Sequence, residues 1–181
     1  MKVRKDALLG AAKIIQLVNE IGWKHAPLAV ATVGMCNPYP NSRNVIPGQC
    51  FLSVDFRHPS DETLSEMDKA LHEGVATICG EIGLTQDTKQ IFYYAPVAFD
   101  EGCVKAVREA AAHLGYTHRD IVSGAGHDAC YIARVAPTSM IFTPCVDGVS
   151  HNEAEDIKQD WSTAGANVLL WAVLDKAEIV A

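Results

Sequence analysis

The chain has 181 residues, with 15 basic and 22 acidic side chains, a formal charge of −7 and a pI near 5.4. No basic block is present, so the composition argues against a nucleic-acid binder or a polybasic membrane-surface protein. At 49% hydrophobic and 20% charged residues, global disorder is excluded, and no run of about 18 apolar residues suggests a membrane span.

Met1 to Asp6 is charged and shows no signal-peptide pattern. Six cysteines (36, 50, 79, 103, 130 and 145) stand in apolar surroundings without a CxxC spacing. With no export signal they are expected to be reduced, mostly buried thiols of a cytoplasmic protein. Residues 4–21 are predicted helical: Leu8, Ala11, Ile14, Ile15, Val18 and Ile21 make one broad apolar face, and Gly22 closes it. A strand is predicted over 28–34 and a polar, proline-containing loop over 36–47. A second strand over 49–57 alternates, with Cys50, Leu52, Val54 and Phe56 pointing one way.

Ser60 is a good N-cap for a helix whose stripe is Leu64, Met67, Leu71, Val75, Ile78 and Ile82, ended by Gly83. Residues 88–97 are predicted to form a third strand. The order α-β-β-α-β is the common β-α-β-β-α-β unit without its first strand. The expectation is therefore a piece of something longer. Beyond Pro96 the prediction is a helix over 101–114, with Val104, Val107, Ala111 and Leu114 buried. A short strand over 120–123 follows, then a short helix to about Val135, a strand over 138–144 and a final helix over 160–176. That last helix is apolar nearly all round and is expected to be buried on most sides. The alternation suggests a parallel α/β layer.

Several residues could carry chemistry. Gly124-Ala-Gly126-His127-Asp128-Ala129 formally matches a dinucleotide fingerprint. Asp128 would repel a pyrophosphate there, and no βαβ unit surrounds it. Ser123 lies outside the glycines, so it is no nucleophile elbow, and nothing marks Cys130 beside His127 as activated. Gly124 and Gly126 could open backbone amides to a carboxylate or oxyanion, or serve a turn needing positive φ. His151, in a loop with Glu153 and Glu155 nearby, is a candidate metal ligand, although no three- or four-ligand spacing is recognisable. His25, His58, His72, His113 and His118 read as surface or packing residues. Arg57 could grip a carboxylate bidentately or simply pair with Asp55. Asn44 could add an amide hydrogen bond or form an Asx turn.

Four segments in order carry a resemblance: Asn44-Val-Ile-Pro-Gly48, Asp55-Phe-Arg-His58, Ser123-Gly-Ala-Gly-His-Asp-Ala129, and Met140 to Glu153 containing Gly-x-Ser-His151-Asn-Glu. Together they resemble the N-carbamoyl-amino-acid amidohydrolases: N-carbamoyl-L-amino-acid hydrolase, β-ureidopropionase, allantoate amidohydrolase and ureidoglycolate amidohydrolase. These are dinuclear metallohydrolases of the aminoacylase/carboxypeptidase type. The resemblance covers essentially the whole chain. It implies α/β and α+β architecture: a ferredoxin-like lid (dimerisation) domain over 1–97, lacking its first strand, and the C-terminal part of a metallopeptidase-like α/β catalytic domain over 98–181.

It further implies a homodimer through the lid and two divalent metals (zinc, manganese, cobalt or nickel). A metal-bridging water, activated by a glutamate, would attack the carbamoyl carbon and release ammonia and carbon dioxide. His151 would be a metal ligand, Asn44 and Arg57 would bind the substrate carboxylate, and Ser123, Gly124 and Gly126 would touch substrate, with His127 and Asp128 close by. The other ligands and the general base would belong to an N-terminal half absent from this sequence, so this chain alone is expected to be inactive. The competing reading is a non-catalytic α+β dimerisation or binding module that keeps the motifs. Neither nucleic acid nor membrane is an expected partner.

Overall fold

In the computed structural model, which describes residues 1–177, the chain divides between Pro96 and Val97 into two units. The first opens with helix α1 (Ala7–Lys24), capped by Asp6, whose carboxylate accepts from the Leu8 and Leu9 N–H groups at 3.1 Å each. The helix runs through Gly22 instead of stopping there. A Cβ at Gly22 would lie 2.8 Å from the Ala31 Cβ, so this glycine serves close packing of helix on strand, not termination.

Strands β1 (Val30–Tyr39) and β2 (Gln49–Arg57) form an antiparallel hairpin with Val30 opposite Arg57 and Tyr39 opposite Gln49. An irregularity between Val33 and Met35 leaves Gly34 unpaired in the register. β1 extends beyond the predicted 28–34, taking in Asn37 and Pro38. Pro38 is tolerated because the sheet has two strands and each has an open edge. β2 matches its prediction, and Cys50, Leu52, Val54 and Phe56 are the half-buried alternates.

Helix α2 (Asp61–Ile82) starts at Ser60, whose Oγ accepts from the Thr63 N–H at 3.3 Å. It ends at Gly83 in the left-handed region, φ 76°, with the Leu84 N–H returning to the Cys79 carbonyl at 2.8 Å. Val18 and Ile21 of α1 meet Met67, Leu71, Val75 and Cys79 of α2, and Ala31, Val33, Val54 and Phe56 of the hairpin pack against them. Residues 88–97 form no strand. They lack a ladder partner among the described residues, and Ile91 and Phe92 are 91% and 75% exposed. An extended run with high β-propensity becomes a strand only when its backbone groups find a neighbour.

In the second unit, α3 (Glu101–His113) is capped by Asp100, which accepts from the Cys103 N–H at 2.7 Å. α5 (Gln159–Ala177) packs on it through Val168 and Ala172, against Ala106, Ala110 and Ala111. The buried face of α3 is thus centred on small residues, with Val107 and Leu114 at its margin. α5 is not buried on most sides: Leu169, Leu170 and Val173 are about half exposed. The short helix α4 spans Ala129–Ile132, and a 3₁₀ turn spans Val146–Gly148. The strands predicted over 120–123 and 138–144, and the parallel layer built on them, are not formed among the described residues, for the same want of neighbours. All six cysteines are free, and Cys79 alone is fully buried. No described helix is long and apolar enough to cross a membrane.

Candidate functional site

The first unit carries Asn44 and Arg57. Asn44 sits in the loop joining β1 to β2. The Gly48 N–H donates to the Tyr39 carbonyl at 3.0 Å, and the Pro47 carbonyl accepts from the Ala7 N–H at 3.0 Å, which fixes the loop beside the start of α1. The Ser42 hydroxyl donates to Asn44 Oδ1 at 3.0 Å, so the asparagine acceptor is used locally, by a serine instead of the backbone donor of an Asx turn. Asn44 lines an open cavity of about 480 Å³ together with Arg4, Arg43, Leu8, Leu9 and Pro47. The Asp6 carboxylate borders the same cavity, so the two guanidinium groups and the amide share it with a negative charge above an apolar floor. Sequence reading missed Arg4 and Arg43. The available signal was Arg43 directly preceding Asn44 in a proline-bounded loop.

Arg57 ends β2 and engages Asp55, two residues back on the same face. Its Nη2 lies 2.7 Å from Asp55 Oδ2 and its Nε 3.1 Å from Oδ1. This hydrogen-bonded pairing holds the Asp55 carboxyl below its ordinary range, against the opposing effect of partial burial, and raises Arg57. Both side chains are about half exposed, so the pair contributes under about 1 kcal/mol. Its consequence is orientation, because Asp55 fixes the plane of the guanidinium fork.

Asn44 and Arg57 are not brought together. They flank opposite ends of β2, whose nine residues span roughly 25 Å at about 3.3 Å per step. One carboxylate cannot touch both within a single chain.

The second unit carries the other candidates. Ser123 Oγ accepts from the Ala125 N–H at 3.1 Å and lies 2.7 Å from His127 Nε2. The His127 ring meets Phe142 edge-on at 5.6 Å. Serine, imidazole and phenyl therefore brace the Gly124–Gly126 turn. Neither glycine has positive φ, which removes the conformational explanation for them. A Cβ at either would meet nothing within 4 Å, so the turn is open to close approach by a ligand. Asp128 precedes α4 without a side-chain capping bond. Cys130 meets His127 through the backbone, its N–H donating to the His127 carbonyl at 3.0 Å.

His151 is exposed and has φ 55°. Its backbone N–H donates to Glu155 Oε2 at 2.8 Å, while Cys145 Sγ approaches Glu155 Oε1 at 3.8 Å. Asp147 and Gly148, at φ 54° and 69°, complete a loop with three residues in the left-handed region. For non-glycine residues each such conformation costs on the order of 1 kcal/mol and marks positions held for a purpose. Glu155 is thus committed to shaping the His151 loop. Among the described residues no three His, Cys, Asp or Glu side chains are grouped to hold a metal.

Residues 5–175 match the family described as Peptidase family M20/M25/M40. The chain is 46% identical over 180 residues to an N-carbamoyl-L-amino-acid amidohydrolase of Rhizobium meliloti, covering 99% of this chain and 43% of the relative. It is 32% identical to the allantoate amidohydrolase of Escherichia coli, over 86% of this chain and 38% of that one. A hydantoinase/carbamoylase-family amidase from Burkholderia multivorans superposes with a TM-score of 0.94 at 64% identity, over 98% of this chain and 43% of that one. The chain therefore spans less than half the length of these relatives.

Proposed function

The chain belongs to Peptidase family M20/M25/M40, and from that premise we propose that it carries the substrate-gripping part of an amidohydrolase. The reaction would be hydrolysis of the carbamoyl C–N bond of an N-carbamoyl amino acid or a related ureido acid such as allantoate. The observation that carries this reading is 46% identity to an N-carbamoyl-L-amino-acid amidohydrolase across 99% of the chain. The oriented Arg57 fork and the open Ser123–Gly126 turn support it. Arg57 would take the substrate carboxylate through charge-assisted hydrogen bonds. Asn44 would donate its amide to a carboxylate, and the amides near Gly124 and Gly126 would receive the carbonyl oxygen. His127 and Asp128 would border the substrate.

Two divalent metals would supply water activation in the intact enzyme, with His151 as one ligand. The described residues do not by themselves fit such a centre. Glu155 is turned onto the His151 backbone, and among the described residues no three such side chains are grouped to hold a metal. The chemistry assigned to this chain therefore stops at binding and orienting substrate. The remaining ligands and the glutamate base would come from the part of the relatives' length that has no counterpart in this sequence. The same shortage of donors favours a second reading, a non-catalytic dimerisation or binding module.

The separation of Asn44 from Arg57 adds a constraint. If both serve one carboxylate, Asn44 must come from one subunit and Arg57 from its partner, across a homodimer built on the first unit. Subunit mixing in the full-length Rhizobium relative tests this. Variants equivalent to Asn44→Ala and Arg57→Ala should each be severely impaired. Mixed one to one through dissociation and reassociation, they should regain about a quarter of wild-type activity, since half the dimers then hold one intact site. Impaired parents with no recovery after demonstrated subunit exchange would place both residues in the same chain's site. Unimpaired parents would overturn their assignment to the substrate and favour the binding-module reading.

A further inference from the structure

The hairpin brings together two cysteines whose spacing in sequence carries no recognisable motif. Cys36 is opposite Leu52 and Cys50 opposite Pro38, so the two are diagonal neighbours on the ladder. Their Sγ atoms lie 3.7 Å apart. Cys36 is exposed and Cys50 half-buried. The strands hold them close by backbone pairing on both sides, so their approach is imposed by the fold. Between them runs the loop that carries Arg43 and Asn44.

We propose that Cys36 and Cys50 form a redox-sensitive dithiol, which a low-molecular-weight disulfide such as oxidised glutathione converts to a cystine that staples the base of the Asn44 loop. This goes beyond the amidohydrolase reading, and the cross-link itself does not depend on it. Only the effect on substrate does, because the staple would fix the loop that presents Asn44.

The chemistry is thiol–disulfide exchange. Burial, followed by the hydrogen bond and charge of Cys36, pushes the Cys50 thiol up to about 11. Cys36 is the exposed member of the pair, the one an external disulfide can reach, and is the attacking group. Its thiolate displaces one glutathione thiolate and becomes a mixed disulfide. Cys50 then gives its proton to solvent, attacks the Cys36 sulfur and expels the second glutathione thiolate. Two protein thiols are oxidised and one external disulfide is reduced to two thiols. Closing the bond requires the sulfurs to move from 3.7 Å to about 2.05 Å, with the two strands already paired on both sides of the cysteines.

The sequence makes the product easy to identify. Trypsin cleavage after Lys24, Arg43 and Arg57 puts Cys36 in peptide 25–43 and Cys50 in peptide 44–57. The native chain is incubated with oxidised glutathione, alkylated, denatured, digested and analysed by mass spectrometry. The linked pair 25–43/44–57 should be at least about ten times more abundant than any other cysteine pairing, because proximity makes the second step intramolecular. Treatment in denaturant should scramble the pairings among all six cysteines. Cys50→Ser should trap glutathione on Cys36. Thermal unfolding of the oxidised wild type should move up by roughly 5–15 °C and return on reduction. A lasting glutathione adduct on wild-type Cys36 without the linked pair would overturn the proposal. So would pairings no more selective than in denaturant, or no modification of either cysteine.

Discussion

The two units solve the same problem with different materials. The first closes a hairpin and two helices around large side chains, with Met67 fully buried and Val18 nearly so. The second brings α3 and α5 together over Ala106, Ala110, Ala111, Ala172 and one valine. Small residues allow close helix approach but remove little apolar area from water per side chain. They also leave Leu169, Leu170 and Val173 half exposed. The candidate residues follow the same division. Arg57 stands on a regular strand and is oriented by Asp55, whereas Ser123, His127 and His151 stand on turns, one of them strained. Local hydrogen bonds hold the candidate side chains in both units; what differs is the support beneath them, for Arg57 a strand of a packed hairpin and for the second unit's residues turns.

The largest effect should separate the cores. Met67→Ala should destabilise the first unit by about 2–5 kcal/mol, while Val168→Ala should cost the second about 1–2 kcal/mol. Denaturant unfolding followed by hydrogen exchange in each unit reads both. Equal costs would break the contrast. Arg57→Ala in a full-length relative comes next. It should lower kcat/KM by roughly thirty- to a thousand-fold, a loss of about 2–4 kcal/mol. Arg57→Lys should not restore it, since an ammonium cannot reproduce the planar fork. An Arg57→Ala enzyme with unchanged kcat/KM would reduce Arg57 to a partner of Asp55.

Glycine substitutions sharpen the comparison further. Gly22→Ala forces a methyl to within 2.8 Å of the Ala31 Cβ and should cost about 1–3 kcal/mol. Gly126→Ala, with nothing within 4 Å, should leave thermal stability within about 0.5 kcal/mol while reducing kcat/KM in a relative if that turn meets substrate. The smallest effect concerns pH. The Asp55 carboxyl is lower in the folded chain than in the unfolded one. Its contribution is therefore present above the unfolded value, near 3.9, and is lost as pH falls through the folded value. Because the pair is half exposed, Asp55→Asn should differ from wild type by less than about 1 kcal/mol at pH 7. The difference should vanish in acid. A difference that persisted below the folded value would contradict the pairing as its source.

Legibility in the sequence tracked how local each feature is. The β2 alternation and the Ser60 and Gly83 caps depend on neighbouring residues and were readable. Gly22 has the look of a helix stop in the sequence, but its reason is Ala31, brought close by tertiary packing. The runs over 88–97, 120–123 and 138–144 have strand propensity, but strand formation is decided by a partner segment and not by propensity. The motifs single out Asn44, Arg57, Ser123 and His151. They could not reveal that β2 separates the first two, that Arg4 and Arg43 border Asn44, or that His151 has positive φ. Nor could spacing reveal Cys36 beside Cys50, because their proximity is set by the register of a hairpin.

As proposed, this chain would supply grip on a carbamoyl substrate without a complete metal centre. Ammonia release by the purified chain tests it most directly, using N-carbamoyl-L-methionine, N-carbamoyl-β-alanine or allantoate with zinc, manganese, cobalt or nickel, beside the full-length Rhizobium relative as positive control. Release should be no greater than the enzyme-free blank for every substrate and metal. Sustained, metal-dependent turnover by the purified chain would contradict it.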